Sequence, residues 1–143
     1  ACGAPPLMDV FAKAHQFLTF TTPPNLQRAI AYALGKERSY FDAMRAGFQR
    51  SRDRLVSVLE GEGFVLLPAK GAYFVSIDLA ASGVAMSDEA FARHAIDHGV
   101  ATIPVSAFYA NPGAPPLVRL CFAKRDETLD CGAEALIRAK RAL

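Results

Sequence analysis

The sequence predicts an α/β (α+β) domain: a small sheet covered by helices on one face and preceded by one long connecting helix. Three observations predict it. Across residues 36–60 the apolar positions Phe41, Met44, Phe48, Leu55 and Leu59 keep the three-and-four spacing of a one-sided helix. After Gly63 the period becomes two: Tyr73, Val75, Ile77 and Leu79 alternate with Ala72, Phe74, Ser76 and Asp78, as side chains do along a strand. Short apolar runs and helical stretches then follow as strand, strand, helix, strand, strand, helix, an order that one sheet with a single covered face accommodates.

The elements are justified in turn. Pro5 and Pro6 suit the first turn of a helix, and Leu7, Val10, Phe11, Ala14 and His15 continue at helical spacing until the bulky run 15–20 closes the segment. Thr22 is a good N-cap with Pro23 at the first helical position. Leu26, Ala29, Ile30, Ala33 and Leu34 form the next apolar stripe, and Gly35 is a natural C-terminal cap. The long helix 36–60 carries Arg45, Gln49, Arg52 and Asp53 on its polar side and ends at Gly61 and Gly63. A short strand, 64–67, is stopped by Pro68. Lys70-Gly71 is a turn, and the strand 72–79 returns as a hairpin partner. Ser87 caps the next helix, with Asp88 and Glu89 at its positive end; Phe91, Ala95 and Ile96 face inward and Gly99 ends it. A strand at 100–103 is stopped by Pro104. Asn111-Pro112-Gly113-Ala114-Pro115-Pro116 is a rigid loop, and 117–122 is a strand. Asp126 caps the last helix, whose inner face is Leu129, Ala133, Leu136 and Ile137.

Composition narrows the function classes. The 143 residues, 52% of them hydrophobic, suffice for one domain-sized core. A net charge of +2 gives no electrostatic case for a nucleic-acid or membrane partner. No apolar run is long enough to cross a bilayer, and the N-terminal residues lack the pattern of a signal peptide. Cys2, Cys121 and Cys131 are an odd set without CxxC spacing, which reads as a reducing, cytoplasmic compartment and no disulfide framework. Ala1-Cys2-Gly3-Ala4-Pro5 reads as the tail of a strand entering a turn, which points to a piece of a longer polypeptide.

The chemistry centres on Arg119, flanked by Leu117, Val118, Leu120, Cys121 and Phe122. An apolar strand with one permanent cation either turns a polar face to water, which the pattern alone favours, or holds an anion. A guanidinium fork fits a carboxylate through two parallel hydrogen bonds. The neighbours on its own face, Leu117 and Cys121, are apolar; if that face is covered, the charge needs an anionic partner. The loop Ser106-Ala107-Phe108-Tyr109-Ala110-Asn111 offers hydroxyls and aromatics that can line a pocket, and an ordinary loop with Tyr109 on the surface accounts for it equally well. His94 and His98 share a helix face at the spacing of a two-histidine metal site, but no third ligand or HExxH accompanies them, and a solvated face is the better account. Lys70-Gly71-Ala72 lacks a Walker pattern and a following helix. No GxSxG, paired-carboxylate or Cys-His arrangement is present, so the chain carries no self-contained catalytic machinery and no metal site.

Four stretches in register, KAHQFLTFTTPPNLQRAIAYAL, GAYFVSIDL, GVATIPVSAFY and VRLCFAKRDETL, resemble the C-terminal part of the class I/II aminotransferases, pyridoxal-phosphate enzymes of fold type I, with the methionine/kynurenine/aspartate-type enzymes as the nearest subgroup. The resemblance covers essentially the whole chain. It implies that Arg119 grips the α-carboxylate of an amino-acid substrate. It implies that Phe20, Thr21 and Thr22 belong to a segment reaching into the partner's active site in a homodimer. Pro104, Ser106, Phe108 and Tyr109 would border the substrate entrance, with Tyr73 and Phe74 an aromatic pair near the pocket. Residues 1–35 would be closing helices of a large cofactor domain and 36–143 the small C-terminal domain. The lysine that forms the Schiff base with pyridoxal 5′-phosphate, the aspartate on the pyridine nitrogen and the phosphate-binding residues would all lie upstream of Ala1, because Lys13, Lys36, Lys70, Lys124 and Lys140 stand in the wrong context. The implied activity of the intact enzyme is transfer of an amino group from an L-amino acid to a 2-oxo acid, with this part inactive alone. The same sequence would also suit an aminotransferase-like ligand-sensing domain of a transcription regulator.

Overall fold

The computed structural model describes residues 2–111 and 113–143. They form α1 (Pro5–Leu18), α2 (Pro24–Leu34), α3 (Arg38–Gly61), β1 (Val65–Leu66), β2 (Phe74–Asp78), α4 (Asp88–Asp97), β3 (Ile103–Pro104), a 3-10 turn (Val105–Phe108), β4 (Leu117–Cys121) and α5 (Asp126–Arg141). The expected strand tail includes Ala1 and the expected rigid loop includes Pro112, and these two residues lie outside the described set. The chain divides into two compact units, the first ending at Asp42 and the second running Ala43–Leu143.

In the first unit, α1 opens on its prolines as expected, with Ala4 as an extended N-cap. The start of α2 is one residue later than the sequence suggests: Pro23 is the N-cap and Pro24 the first helical residue. A proline cap has no side-chain acceptor, and Thr22 instead uses its carbonyl to take a hydrogen bond from Gln27 Nε2 at 2.7 Å. Neither helix buries a residue, so both apolar stripes lie open: Leu7, Val10, Phe11 and Phe17 on α1, Leu26, Ile30 and Leu34 on α2.

The second unit is built on a four-stranded antiparallel sheet in the order β1-β2-β4-β3. Alternation along β2 and β4 sends Val75, Ile77, Val118 and Leu120 to one face, where they are buried, and leaves Phe74, Ser76, Asp78, Leu117, Arg119 and Cys121 half-buried on the other. The buried face packs with Leu55 and Leu59 from α3, Phe91 and Ala95 from α4, and Leu129, Ala133 and Leu136 from α5 in one apolar cluster. Each of the leucine and phenylalanine side chains removes on the order of 2 kcal/mol of unfavourable hydration, and together the cluster holds three helices on a single face.

Several details differ from the sequence expectation. Ile96 is 59% exposed rather than inward, because the inner stripe of α4 runs through Phe91, Ala92 and Ala95. The third strand is Ile103–Pro104, shorter and later than expected. Pro104 sits inside it opposite Val118, tolerated because β3 is an edge strand where a missing N–H costs no ladder bond. The last helix is capped by Arg125 without a side-chain bond, and Asp126 lies in the first turn, where its charge favours the positive end. Ser87 does cap α4, accepting from Ala90 N–H at 3.2 Å.

Candidate functional site

Arg119 occupies the centre of β4, on the face the helices do not cover. Ser76 of β2 is its partner on one side and Ile103 of β3 on the other. Phe74 faces Cys121 across the ladder and is therefore the diagonal neighbour of Arg119, within reach of a long side chain. Its ring centroid lies 4.2 Å from the guanidinium carbon. A second ring, Phe108 at the end of the 3-10 turn, lies 4.9 Å away. Tyr73 extends the aromatic line, its ring 4.3 Å from that of Phe74. Each such cation–ring contact contributes about 0.5–1 kcal/mol where water still reaches the pair.

The guanidinium is held by these rings but not neutralised. Its Nε is buried and has no hydrogen-bond partner among the described residues, and no described carboxylate pairs with it. A buried donor without a partner costs about 1–3 kcal/mol. The arrangement can therefore receive a planar anion in the guanidinium plane. Two hydroxyls earlier in the chain, Thr102 Oγ1 and Ser106 Oγ, are likewise buried without partners among the described residues.

The structure brings together some of the sequence-selected residues. Phe74, Phe108 and Arg119 meet directly, and Tyr73 joins through Phe74. Tyr109 follows Phe108 but is 54% exposed, and its N–H closes the turn onto Ser106 O at 3.0 Å. Phe20 and Thr21 lie in the first unit between α1 and α2. Phe20 has φ 65°, a left-handed conformation rare for a bulky residue; Thr21 Oγ1 donates to Thr22 O and accepts from Gln27 Nε2. His94 and His98 are engaged with carbonyls: His94 Nε2–H donates to Ala139 O at 2.9 Å, and His98 Nδ1–H to His94 O at 3.0 Å. Among the described residues no group of three His, Cys, Asp or Glu is placed to hold a metal ion. No helix among them is long and apolar enough to cross a membrane.

Sequence reasoning missed one polar residue here. Asp88 is buried, and its Oδ2 accepts the Ser106 N–H at 2.7 Å, tying α4 to the turn that carries Phe108. The sequence marked Asp88 only as a charge at a helix start, since nothing local reports a partner so far along the chain.

Fold and site define an α/β domain with its helices on one side of an antiparallel sheet and an anion-receptive arginine on the other. Residues 1–136 match the family profile "Aminotransferase class I and II", and the chain belongs to that family. It is 38% identical to the methionine aminotransferase of Escherichia coli (strain K12) over 137 residues, covering 94% of this chain and 35% of that protein. A solved N-succinyldiaminopimelate aminotransferase from Mycobacterium tuberculosis superposes with a TM-score of 0.86 at 33% identity, over 97% of this chain and 36% of that one. The α-aminoadipate aminotransferase LysN from Thermus thermophilus, complexed with N-(5′-phosphopyridoxyl)-L-leucine, shares the fold at TM-score 0.83 and 24% identity, over 98% of this chain and 36% of that one. The chain thus spans about a third of the length of the curated relatives it matches, 35% for the first two. Pyridoxal 5′-phosphate is the cofactor of this family.

Proposed function

We propose that this chain is the substrate-gripping part of an aminotransferase that moves an amino group from an L-amino acid to a 2-oxo acid. The observation that carries the reading is Arg119: a cation fixed by two rings, on the open sheet face, with a buried Nε that has no partner among the described residues. A substrate α-carboxylate would supply that partner through two parallel charge-assisted bonds. The rings restrict the guanidinium plane, so the grip also sets the direction in which the α-carbon points. That is a positioning role and needs no proton transfer by the arginine.

Pyridoxal 5′-phosphate, when bound, supplies the electron sink for labilising bonds at the α-carbon. The residues around Arg119 fit the carboxylate end of an amino acid held against that cofactor. They do not fit its phosphate, which calls for a cluster of N–H donors at a helix start. We therefore assign no residue of this chain to the cofactor itself. In this reading residues 36–143 are the small C-terminal domain and 1–35 are helices of the cofactor domain. Phe20 and Thr21 serve the neighbouring subunit of a homodimer, and Tyr109 borders the entrance.

The test is steady-state kinetics on the full-length polypeptide containing this sequence. Arg119→Ala lowers kcat/KM for the amino acid by roughly 10- to 100-fold, the equivalent of losing about 1.5–3 kcal/mol of charge-assisted hydrogen bonding, with the circular dichroism spectrum unchanged. Unaltered kcat/KM overturns the assignment. Amino-acid binding that depends on Arg119 without turnover redirects it to a ligand-sensing domain.

A further inference from the structure

We propose that Asp88 is a positioning residue of the carboxylate grip: its buried side chain holds the turn that seats Phe108 on Arg119. The proposal rests on the reading of Arg119 given above and adds a residue to it. Asp88 opens α4 and is 4% exposed. A carboxylate buried to this degree is stable only when its oxygens accept hydrogen bonds. Oδ1 accepts from the adjacent Glu89 N–H at 3.0 Å. That bond and the Ser87 cap already serve the start of α4.

The second oxygen serves something else. Oδ2 accepts from Ser106 N–H at 2.7 Å, across 18 residues of chain. Ser106 is the second residue of the 3-10 turn, whose N-cap is Pro104 and makes no side-chain capping bond. The first N–H groups of a helical turn have no partner within it. Asp88 thus caps from outside a turn that its own cap residue cannot. The turn's far end is closed by Tyr109 N–H on Ser106 O, so both ends meet at Ser106.

Phe108 is the last residue of that turn and is 63% exposed. Little packing fixes its ring, so its place 4.9 Å from the guanidinium depends on the backbone beneath it. That backbone is held by Asp88. The line of action runs from carboxylate to amide, turn, ring and guanidinium. Asp88 touches no substrate.

The experiment uses the 143-residue chain labelled with ¹⁵N and follows the Arg119 Nε–Hε resonance, which senses the ring currents of Phe74 and Phe108. Asp88→Asn and Phe108→Ala are expected to move it in the same direction, and the double variant to match Phe108→Ala alone. An unmoved signal in Asp88→Asn, or additive shifts in the double variant, overturns the proposal. A through-hydrogen-bond coupling between the Ser106 amide and the Asp88 carboxyl carbon is expected in the unsubstituted chain. It requires no folded variant, and its absence also overturns the proposal. Acetate is then the probe for the grip: Asp88→Asn is expected to weaken its effect on Arg119 about fivefold, the scale of one displaced cation–ring contact. If acetate leaves Arg119 unperturbed in the unsubstituted chain while the ring coupling holds, the carboxylate reading fails and the positioning link stands. If acetate binds alike with and without Asp88→Asn, the positioning role fails and the carboxylate reading stands.

Discussion

Replacing Arg119 with methionine separates a functional arginine from a structural one. The structure gives two opposing terms. Loss of the guanidinium removes its contacts with Phe74 at 4.2 Å and Phe108 at 4.9 Å, together about 1–2 kcal/mol. It also removes the buried Nε, which has no partner among the described residues and whose desolvation costs about 1–3 kcal/mol. Methionine keeps the length of the apolar stem and packs adaptably between rings. The terms largely offset, so Arg119→Met is expected to leave the stability of the second unit between about 1 kcal/mol lower and about 2 kcal/mol higher. In a chain with two compact units, a single melting temperature mixes two events. Amide hydrogen exchange at Val118 and Leu120, which are buried on either side of Arg119, reads the opening of the sheet itself. Slowest-exchange free energies that fall by more than about 2 kcal/mol would show a structural arginine with a partner the geometry does not reveal. An unchanged sheet together with lost anion response would mark a side chain kept for ligand rather than for fold.

Other expected outcomes concern the scaffold. Ser82, 5% exposed, accepts from Val65 N–H at 2.8 Å and donates to the Asp78 carbonyl, linking the hairpin strands; Ser82→Ala should cost about 1–2 kcal/mol in urea unfolding, and a neutral substitution would refute the link. Arg54 on α3 grips Asp130 on α5 through two bonds, at 2.8 and 2.7 Å, and this hydrogen-bonded pairing holds the Asp130 carboxyl below the usual aspartate range. A carboxyl depressed by folding stabilises above its unfolded pKa of about 3.9 and loses that contribution as pH falls through the lower folded value. Asp130→Asn should therefore lower stability at neutral pH and converge with the unsubstituted chain under strongly acidic conditions; a difference that persists there would exclude this linkage. Phe20, at φ 65° and 76% exposed, is expected to melt no earlier when changed to glycine, gaining up to about 1 kcal/mol from relief of the left-handed backbone. A marked loss in the circular dichroism melt would mean that the ring packs against another surface.

The helices and the sheet faces were legible because they depend on local rules. Val75, Ile77 and Leu79 alternate with Phe74, Ser76 and Asp78 in the sequence, and the same alternation divides buried from half-buried in the structure, whereas Tyr73, read on the face of Val75, precedes β2 and is exposed. Ser87 followed by Asp88 and Glu89 announced the start of α4. Sequence and structure part where local rules compete. Ile96 reads as inward because it neighbours Ala95, yet a helix turns by about 100° between adjacent residues and only the Phe91–Ala95 line meets the sheet. The strand around Ile103 lies later than the apolar run suggests because pairing with β4, not apolar content, decides where it runs. At the site, Arg119 stood out as a lone cation in an apolar strand, the loop 106–111 offered Phe108, and the resemblance added Phe74.

By itself the sequence determined the periodicity, the Ser87 cap of α4, the lone cation of β4 and the family resemblance. All of these follow from the order of residues within one element or from matched motifs. Only the tertiary structure decided that Phe74 and Phe108 would lie against the guanidinium, that its Nε would be left without a partner among the described residues, and that Asp88 would reach the Ser106 amide. Those contacts join residues far apart in the chain. They are selected by the burial of one sheet face under three helices, which fixes where the other face and its flanking turn must lie.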